Sequence, residues 1–437
     1  MSGNAINVAV VGTGFVGRGL VHQLALTPGM RPSLLVSRRP ESGIQALVDS
    51  GYERTDVVVS DDPAILTAAI DDLRPAVTSA PWIMASVDAI DVVVEATGDV
   101  EHGAVVALMV LDAGKHLVSL NYETDATVGP LLAQIADQRG LVYTGSDGDQ
   151  PGVMMRLIEY VEAIGLDVVA AVNCKGFLDV HATPNTIRSW AERQGTSLKM
   201  TTAFTDGTKM NVENCSVANA AGLISASRGM TGIETTLSKA LDDFGAALTE
   251  TGVVEYTLGG DFGSGVFVIG SGAHPDLAAP YLEYLKMGPG PWYLFFRPWH
   301  LVHFETPLSI AEAVLDGQPT IAPMGAPVAQ VVTLAKRALS MGDVLGGIGT
   351  ADHYGEIDRL QDSRDLLPVG LAEGALMTRF VEQDEPLTLD DIELNEDQPI
   401  VKLWRAQHEM FRGEQAHMDQ SLLDGIIAEY SQGPVAR

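Results

Sequence analysis

The stretch INVAVVGTGFVGRGLVHQLA, residues 6–25, constrains the chain most. A short apolar run predicts a buried strand over 6–11. Gly12, Gly14 and Gly17 then fall in GxGxxG spacing, and a helical apolar pattern follows. In that order the motif points to a dinucleotide-binding turn. Gly12 permits the tight turn, Gly14 lets the backbone approach a pyrophosphate, and Gly17 lets helix and strand pack closely. Thr13, Phe15 and Val16 complete the loop that a cofactor would meet. The start of the helix presents its free amides to the phosphates.

The next strand, PSLLVSRR at 32–39, ends in Ser37, Arg38 and Arg39. An NAD site commonly places a carboxylate there for the ribose hydroxyls, whereas arginine pairs with a 2'-phosphate. NADPH is therefore the expected cofactor. IDVVVEATG at 90–98 reads as a third strand whose small end, Ala96, Thr97 and Gly98, suits a cofactor lying across the strand ends; Asn121 ends a further strand. Repeated strand–helix units predict a mostly parallel sheet covered by helices over 1–150. Residues 51–89 read as a partly helical insertion before the strand at 91.

Residues 151–330 predict a second, α+β domain for catalysis and oligomerisation. A helix at 153–165 and a strand at 167–173 lead to Lys175 and Asp179. In FTDGTKMNVENCSVANAAG, residues 204–222, a helix starting near Asp206 puts Asp206, Lys209, Glu213 and Val217 on one face. Two readings stand. Either Asp206 caps the helix and Lys209 pairs with Glu213 at the surface, or this polar start faces a substrate cleft. The aromatic stretch 287–317 carries Arg297, His303 and Glu305. An extended segment over 293–304 would set His303 and Glu305 on one side.

From about residue 331 the expectation is a small β-rich domain to 415, then a final helix within 331–437. PVAQVVTLAKRALS, residues 327–340, reads as a helix. The net charge is −30, from 57 acidic and 27 basic residues, which disfavours nucleic acid and anionic membranes. No signal peptide or membrane span is expected, and the predicted location is cytoplasmic. Cys174 and Cys215 are too few for a disulfide scaffold.

The segments NYETDATVGPLL, YTGSDGDQPG, NCKGFLD, FTDGTK and YLFFRPWHLVHFETPLSI, together with the glycine turn, resemble a homoserine dehydrogenase-like family. Within it they are most similar to 1-deoxy-D-xylulose 5-phosphate reductoisomerase-like enzymes, and the acidic tail resembles a SAF domain. The resemblance implies an NADPH-dependent enzyme acting on a small polyhydroxy or phosphorylated substrate. Reductoisomerase-like members rearrange 1-deoxy-D-xylulose 5-phosphate, reduce it to 2-C-methyl-D-erythritol 4-phosphate, and depend on a divalent metal.

The chemistry then assigns candidates. Lys209 or Lys175 relays the proton. Asp206 and Glu213 would hold Mg2+ or Mn2+, with Asp179 as a third carboxylate. Arg297, Arg228 or Lys175 would take a phosphate, and His303 could assist. A plain dehydrogenase of an unphosphorylated hydroxy acid or sugar acid is the alternative. A non-catalytic dinucleotide-binding protein is another. The aromatic segments of the middle region predict a homo-oligomer.

Overall fold

The computed structural model describes residues 5–272, 274–412 and 420–431. The chain divides into two compact units. The first comprises 1–148, 301–325 and 397–437, the second 149–300 and 326–396. Two of the four crossings lie close to the sequence boundaries at 150 and 330. The other two arise because the chain returns to the first unit for 301–325 and for its final segment. α/β architecture holds in both units.

The first unit opens with β1 (Ile6–Val11), α1 (Phe15–Leu26), β2 (Met30–Val36), α2 (Pro40–Asp49), β3 (Val58–Val59), α3 (Pro63–Asp71) and β4 (Ala76–Thr78). β5 (Val92–Glu95), α4 (Val100–Asp112), β6 (His116–Ser119), α5 (Tyr122–Gln138) and β7 (Tyr143–Gly145) follow. The strands form a parallel sheet in the order β3-β4-β2-β1-β5-β6-β7. Val8, Val10, Val92 and Val94 are fully buried in it, as a sheet covered on both faces requires. The order reverses beside β1, the place where such sheets bind ligands beyond their strand ends. The expected insertion at 51–89 is not one: β3 and β4 extend the same sheet, β4 pairing with β2. Strands of two and three residues are too short to show a period of two in sequence.

The second unit follows with α6 (Gln150–Ala163), β8 (Leu166–Lys175), α7 (Arg188–Gln194), α8 (Leu198–Thr205) and α9 (Thr208–Ala221). Then come β9 (Ile224–Ser225), β10 (Ile233–Glu234), α10 (Ala240–Ala247), β11 (Val253–Leu258), β12 (Val266–Gly272), α11 (Pro275–Tyr284) and β13 (Trp292–Arg297). Its sheet runs β10-β11-β8-β12-β13, with β9 also on β11. One face packs Val172, Cys174, Phe244, Phe262 and Phe267 into an apolar core. The other face carries α6 and α9.

α12 (Val302–Ala311) belongs to the first unit and packs on α1. His303 and Glu305 lie in its first turns rather than on an extended strand, so they do not share a side as a period of two would place them. β14 (Ala329–Ala335), β15 (His353–Arg359), α13 (Leu360–Ser363), β16 (Leu376–Met377) and β17 (Ile392–Glu393) complete the second unit. α14 (Pro399–Arg412) and α15 (Gln420–Ser431) return to the first. The helix expected over 327–340 is therefore the strand β14. Every residue of β14 is buried, which erases the alternation that marks a half-exposed strand.

α9 binds the β-rich segment through its side chains. Thr208 Oγ1 accepts from Gly355 N at 2.9 Å, Asn211 Oδ1 from Ile357 N at 2.9 Å, and Asn219 Oδ1 from Val328 N and Ala329 N at 2.8 and 3.0 Å. A helix interior rich in Asn and Thr looks unfavourable by propensity. Here those residues satisfy backbone donors that would otherwise be buried without partners. Among the described residues no helix is long and apolar enough to cross a membrane.

Candidate functional site

In the first unit the glycine turn has the geometry its spacing predicts. Gly12 adopts φ +101°, and a Cβ there would lie 2.8 Å from Ala96 O. A Cβ on Gly17 would lie 2.0 Å from Gly12 O. Gly14 caps α1, and a Cβ there meets nothing within 4 Å. Open space above a helix N-terminus at a sheet's reversal point fits a pyrophosphate. Gly17 and Gly14 therefore separate by test. Gly17→Ala lowers the melting temperature through backbone overlap. Gly14→Ala melts as wild type but weakens binding of the nicotinamide dinucleotide, measured by fluorescence titration with NADH and NADPH.

Around this turn, Thr13 Oγ1 lies 2.9 Å from Ser37 Oγ, which donates to Arg39 O at 2.9 Å. Phe15 is exposed, Val16 half-buried, and Arg38 and Arg39 are exposed beyond β2. Thr97 and Gly98 continue the loop after Ala96. Asn121 caps α5, accepting from Thr124 N at 3.1 Å, and its amide donates to Asp99 O at 2.9 Å. It ties two loops together at the strand ends.

Glu95, the last residue of β5, is buried, and the sequence reading passed over it. Its one signal was a lone acid closing an apolar run. Oε1 accepts from Thr97 N at 2.7 Å and from the Thr97 hydroxyl. Oε2 lies near the Asn121 amide without a well-formed hydrogen bond, and that amide donates to Asp99 O at 2.9 Å. Burial is the main cause that raises the carboxyl from 4.5 to about 7, against the Thr97 and Asn121 contacts. The folded chain thus keeps a proton that the unfolded chain releases above about pH 4.5. Stability contributed by this group is present below that pH, falls as pH rises to about 7, and is constant above it. Glu95→Gln removes the fall. Urea unfolding at pH 5 and pH 8 should show wild type losing on the order of 2–3 kcal/mol relative to the variant over that interval.

His303 also lies in this unit. Its ring packs against α1, where a Cβ on Gly19 would come within 2.7 Å of it, and burial lowers its pKa.

In the second unit, β8 ends at Asn173, Cys174 and Lys175. Asn173 Nδ2 donates to Gln150 Oε1 on α6 and to Glu213 Oε2 on α9, each at 3.1 Å. Glu213 is 2 % exposed. Burial raises its carboxyl from 4.5 to about 8; Lys209 opposes this, Asp149 adds to it, and Lys175 opposes it. Lys175 is lowered, chiefly by burial, with Glu213 and then Asp206 pulling it back up. Its Nζ donates to Phe204 O and lies 5.8 Å from the Phe204 ring centroid. A half-buried amine near a buried carboxyl can exchange a proton with substrate near neutral pH.

Arg297 ends β13. Along one line of the sheet Asn173 pairs with Val266, and Val266 with Arg297, so Asn173, Lys175 and Arg297 lie at one sheet end with side chains on the same face. Two strand spacings, roughly 10 Å, separate the β8 and β13 backbones. Lys175, Lys209, Glu213 and Arg297 thus come from three elements, β8, α9 and β13, to one end of the α6–α9 face.

Asp206 does something else. It ends α8 rather than starting a helix, and α9 begins after Gly207 at φ +83°. Its Oδ1 accepts from Thr208 N at 2.9 Å, and its Oδ2 accepts from Lys336 Nζ at 2.8 Å. The two side chains are 0 % and 1 % exposed. Lys336 also donates to Ala182 O and Thr350 O at 2.8 and 2.9 Å. Asp179 is exposed and accepts from His181 N at 3.1 Å. Arg228 pairs with Asp358 at 2.8 Å, beside a cavity of about 120 Å³ lined by Asp206, Met210, Tyr256, Tyr354 and Glu356. Among the described residues no group of three or more His, Cys, Asp or Glu is placed to hold a metal ion. With Asp206 committed to Lys336, the residues present do not fit the expected Mg2+ or Mn2+.

Residues 148–306 match the family model described as oxidoreductase DRL, catalytic domain. The matched segment contains Lys175, Lys209, Glu213 and Arg297, and the chain is an enzyme of the oxidoreductase class. A comparison with curated proteins found no match. Among solved structures, a probable dehydrogenase from Thermotoga maritima is similar at 9 % identity and TM-score 0.42, covering 72 % of this chain and 90 % of that one. A myo-inositol dehydrogenase from Corynebacterium glutamicum gives 10 % identity and 0.41, with 72 % and 90 % covered. GenD2 from gentamicin A biosynthesis, in complex with NAD, gives 14 % and 0.40, with 73 % and 89 % covered. Likeness at this level says nothing of substrate.

Proposed function

We propose that this chain is an NADPH-dependent dehydrogenase that interconverts a hydroxyl and a carbonyl on a small polyhydroxy acid or sugar acid. The observation that carries the reading is the half-buried Lys175 at the end of β8 with the buried Glu213 within its electrostatic reach, inside the segment that matches an oxidoreductase catalytic domain. A bound nicotinamide supplies or takes the hydride. The protein's part is the proton. In the oxidative direction neutral Lys175 takes the hydroxyl proton as the hydride leaves carbon. In reduction the ammonium returns it to the carbonyl oxygen. Glu213, held by Asn173, sets the charge around that amine. Lys209 and Arg297 supply positive charge for a substrate carboxylate, which a chain of net charge −30 needs locally.

The finer reading, reduction and rearrangement of 1-deoxy-D-xylulose 5-phosphate, requires a divalent metal in the enzymes the sequence resembles. The donor set around Asp206 does not favour it. The two readings part on one assay. Purified protein with NADP+ or NADPH is screened against hydroxy acids, sugar acids, polyols and 1-deoxy-D-xylulose 5-phosphate, with and without a chelator. Turnover of a hydroxy or sugar acid that survives chelation is expected. Turnover confined to the phosphorylated ketose and abolished by chelation overturns the dehydrogenase reading.

A further inference from the structure

The first unit holds an aromatic pair that the glycine turn does not explain. His102 lies in the first turn of α4, its N donating to Asp99 Oδ1 at 2.9 Å. Its Nδ1 shares a hydrogen bond with the hydroxyl of Tyr430 on α15, and the two rings are 5.9 Å apart at 45°. α15 packs on α4 and buries Leu423 and Ile426. Both rings of the pair remain half-exposed.

Their position gives the pair a use. β2 and β5 flank β1. Arg38 follows β2, and His102 follows β5 through the loop that begins at Ala96, so the two rise on either side of the glycine turn. Burial is the main influence on each ring, lowering His102 and raising Tyr430 to about 12. The Arg38 charge adds a smaller lowering to both. Arg38 has no hydrogen-bond or ion-pair partner among the described residues.

We propose that His102 and Tyr430 form an aromatic wall for the adenine ring of the dinucleotide, with Arg38 placed to take the 2'-phosphate. The inference rests on the dinucleotide reading and extends it to the last helix of the chain. Adenine offers a flat face to a ring, and guanidinium pairs with phosphate through two parallel hydrogen bonds. The final helix is then part of the cofactor site.

The test measures dissociation constants of the full chain for NADPH, NADH and 2',5'-ADP. Tyr430→Ala should weaken all three by about 5- to 100-fold, the range that loss of one stacking partner gives. Tyr430→Phe keeps the ring and should bind within about threefold of wild type. Arg38→Ala should weaken NADPH and 2',5'-ADP but leave NADH unchanged. Wild-type affinities in Tyr430→Ala overturn the proposal, and a lowered melting temperature without cofactor in that variant would then make the contact structural. Failure of the wild-type protein to bind any of the three overturns the dinucleotide reading itself and this inference with it.

Discussion

Lys175→Ala yields a folded protein that binds NADPH as wild type does and turns over its substrate roughly 10²- to 10⁴-fold more slowly, the usual contribution of a positioned proton donor. The loss falls on kcat, because the amine acts on the proton that moves only as the hydride does. Structural damage is expected to be small: Lys175 is half-buried and its Nζ donates to one backbone carbonyl, Phe204 O. Lys175→Arg separates charge from proton transfer. It keeps a cation near Glu213 but cannot give up its proton near neutrality, so it too should be slow. If Lys175→Arg retains wild-type kcat, Lys175 is a binding cation and the proton passes elsewhere, with Lys209 the next residue to replace.

Asp206→Ala destabilises the second unit by about 3–5 kcal/mol, the cost of leaving a buried ammonium without its counter-charge. The pair is almost wholly removed from water, and Lys336 directs its three donors to Asp206, Ala182 and Thr350. Lys336→Met is expected to cost a comparable amount, since it strands a carboxylate and two carbonyls. The double variant Asp206→Leu with Lys336→Met should be more stable than either single one, because it removes both buried charges. Unfolding by urea, followed by tryptophan fluorescence, distinguishes these cases. A double variant as unstable as the sum of its parts would show that the ion pair is not what joins FTDGTK to the β-rich segment. In an account where Asp206 holds a catalytic metal, the same variants would lose activity without losing stability.

Particular residues show how far the sequence could be read. The glycine turn was legible because each glycine answers to one local steric demand, and the order strand, turn, helix is contiguous. Lys175 and Glu213 were legible as candidates because charged residues inside apolar runs stand out. The link from Glu213 through Asn173 to Gln150 was not, since it depends on how β8, α6 and α9 stack. Lys336 was missed because β14 is buried on both faces and reads like a helix. That error concealed the true partner of Asp206 and left this carboxylate looking available to a metal. His303 and Glu305 were misplaced because the dense aromatics argued for extended chain, whereas α12 begins at Val302 and accommodates Pro307 within it. Tyr430 lies more than three hundred residues from His102, and no local pattern links them.

The measurement that bears most directly on the proposed function follows deuterium from NADPH labelled at C4 of the nicotinamide into product. The wild-type protein is incubated with the labelled cofactor and the keto forms of the hydroxy and sugar acids in the panel, and products are read by mass spectrometry. The prediction is a product one mass unit heavier, labelled at the carbon that bears the new hydroxyl, formed with or without chelator and nearly absent with Lys175→Ala. NADPH that binds tightly yet delivers no deuterium to any of these compounds would contradict the account.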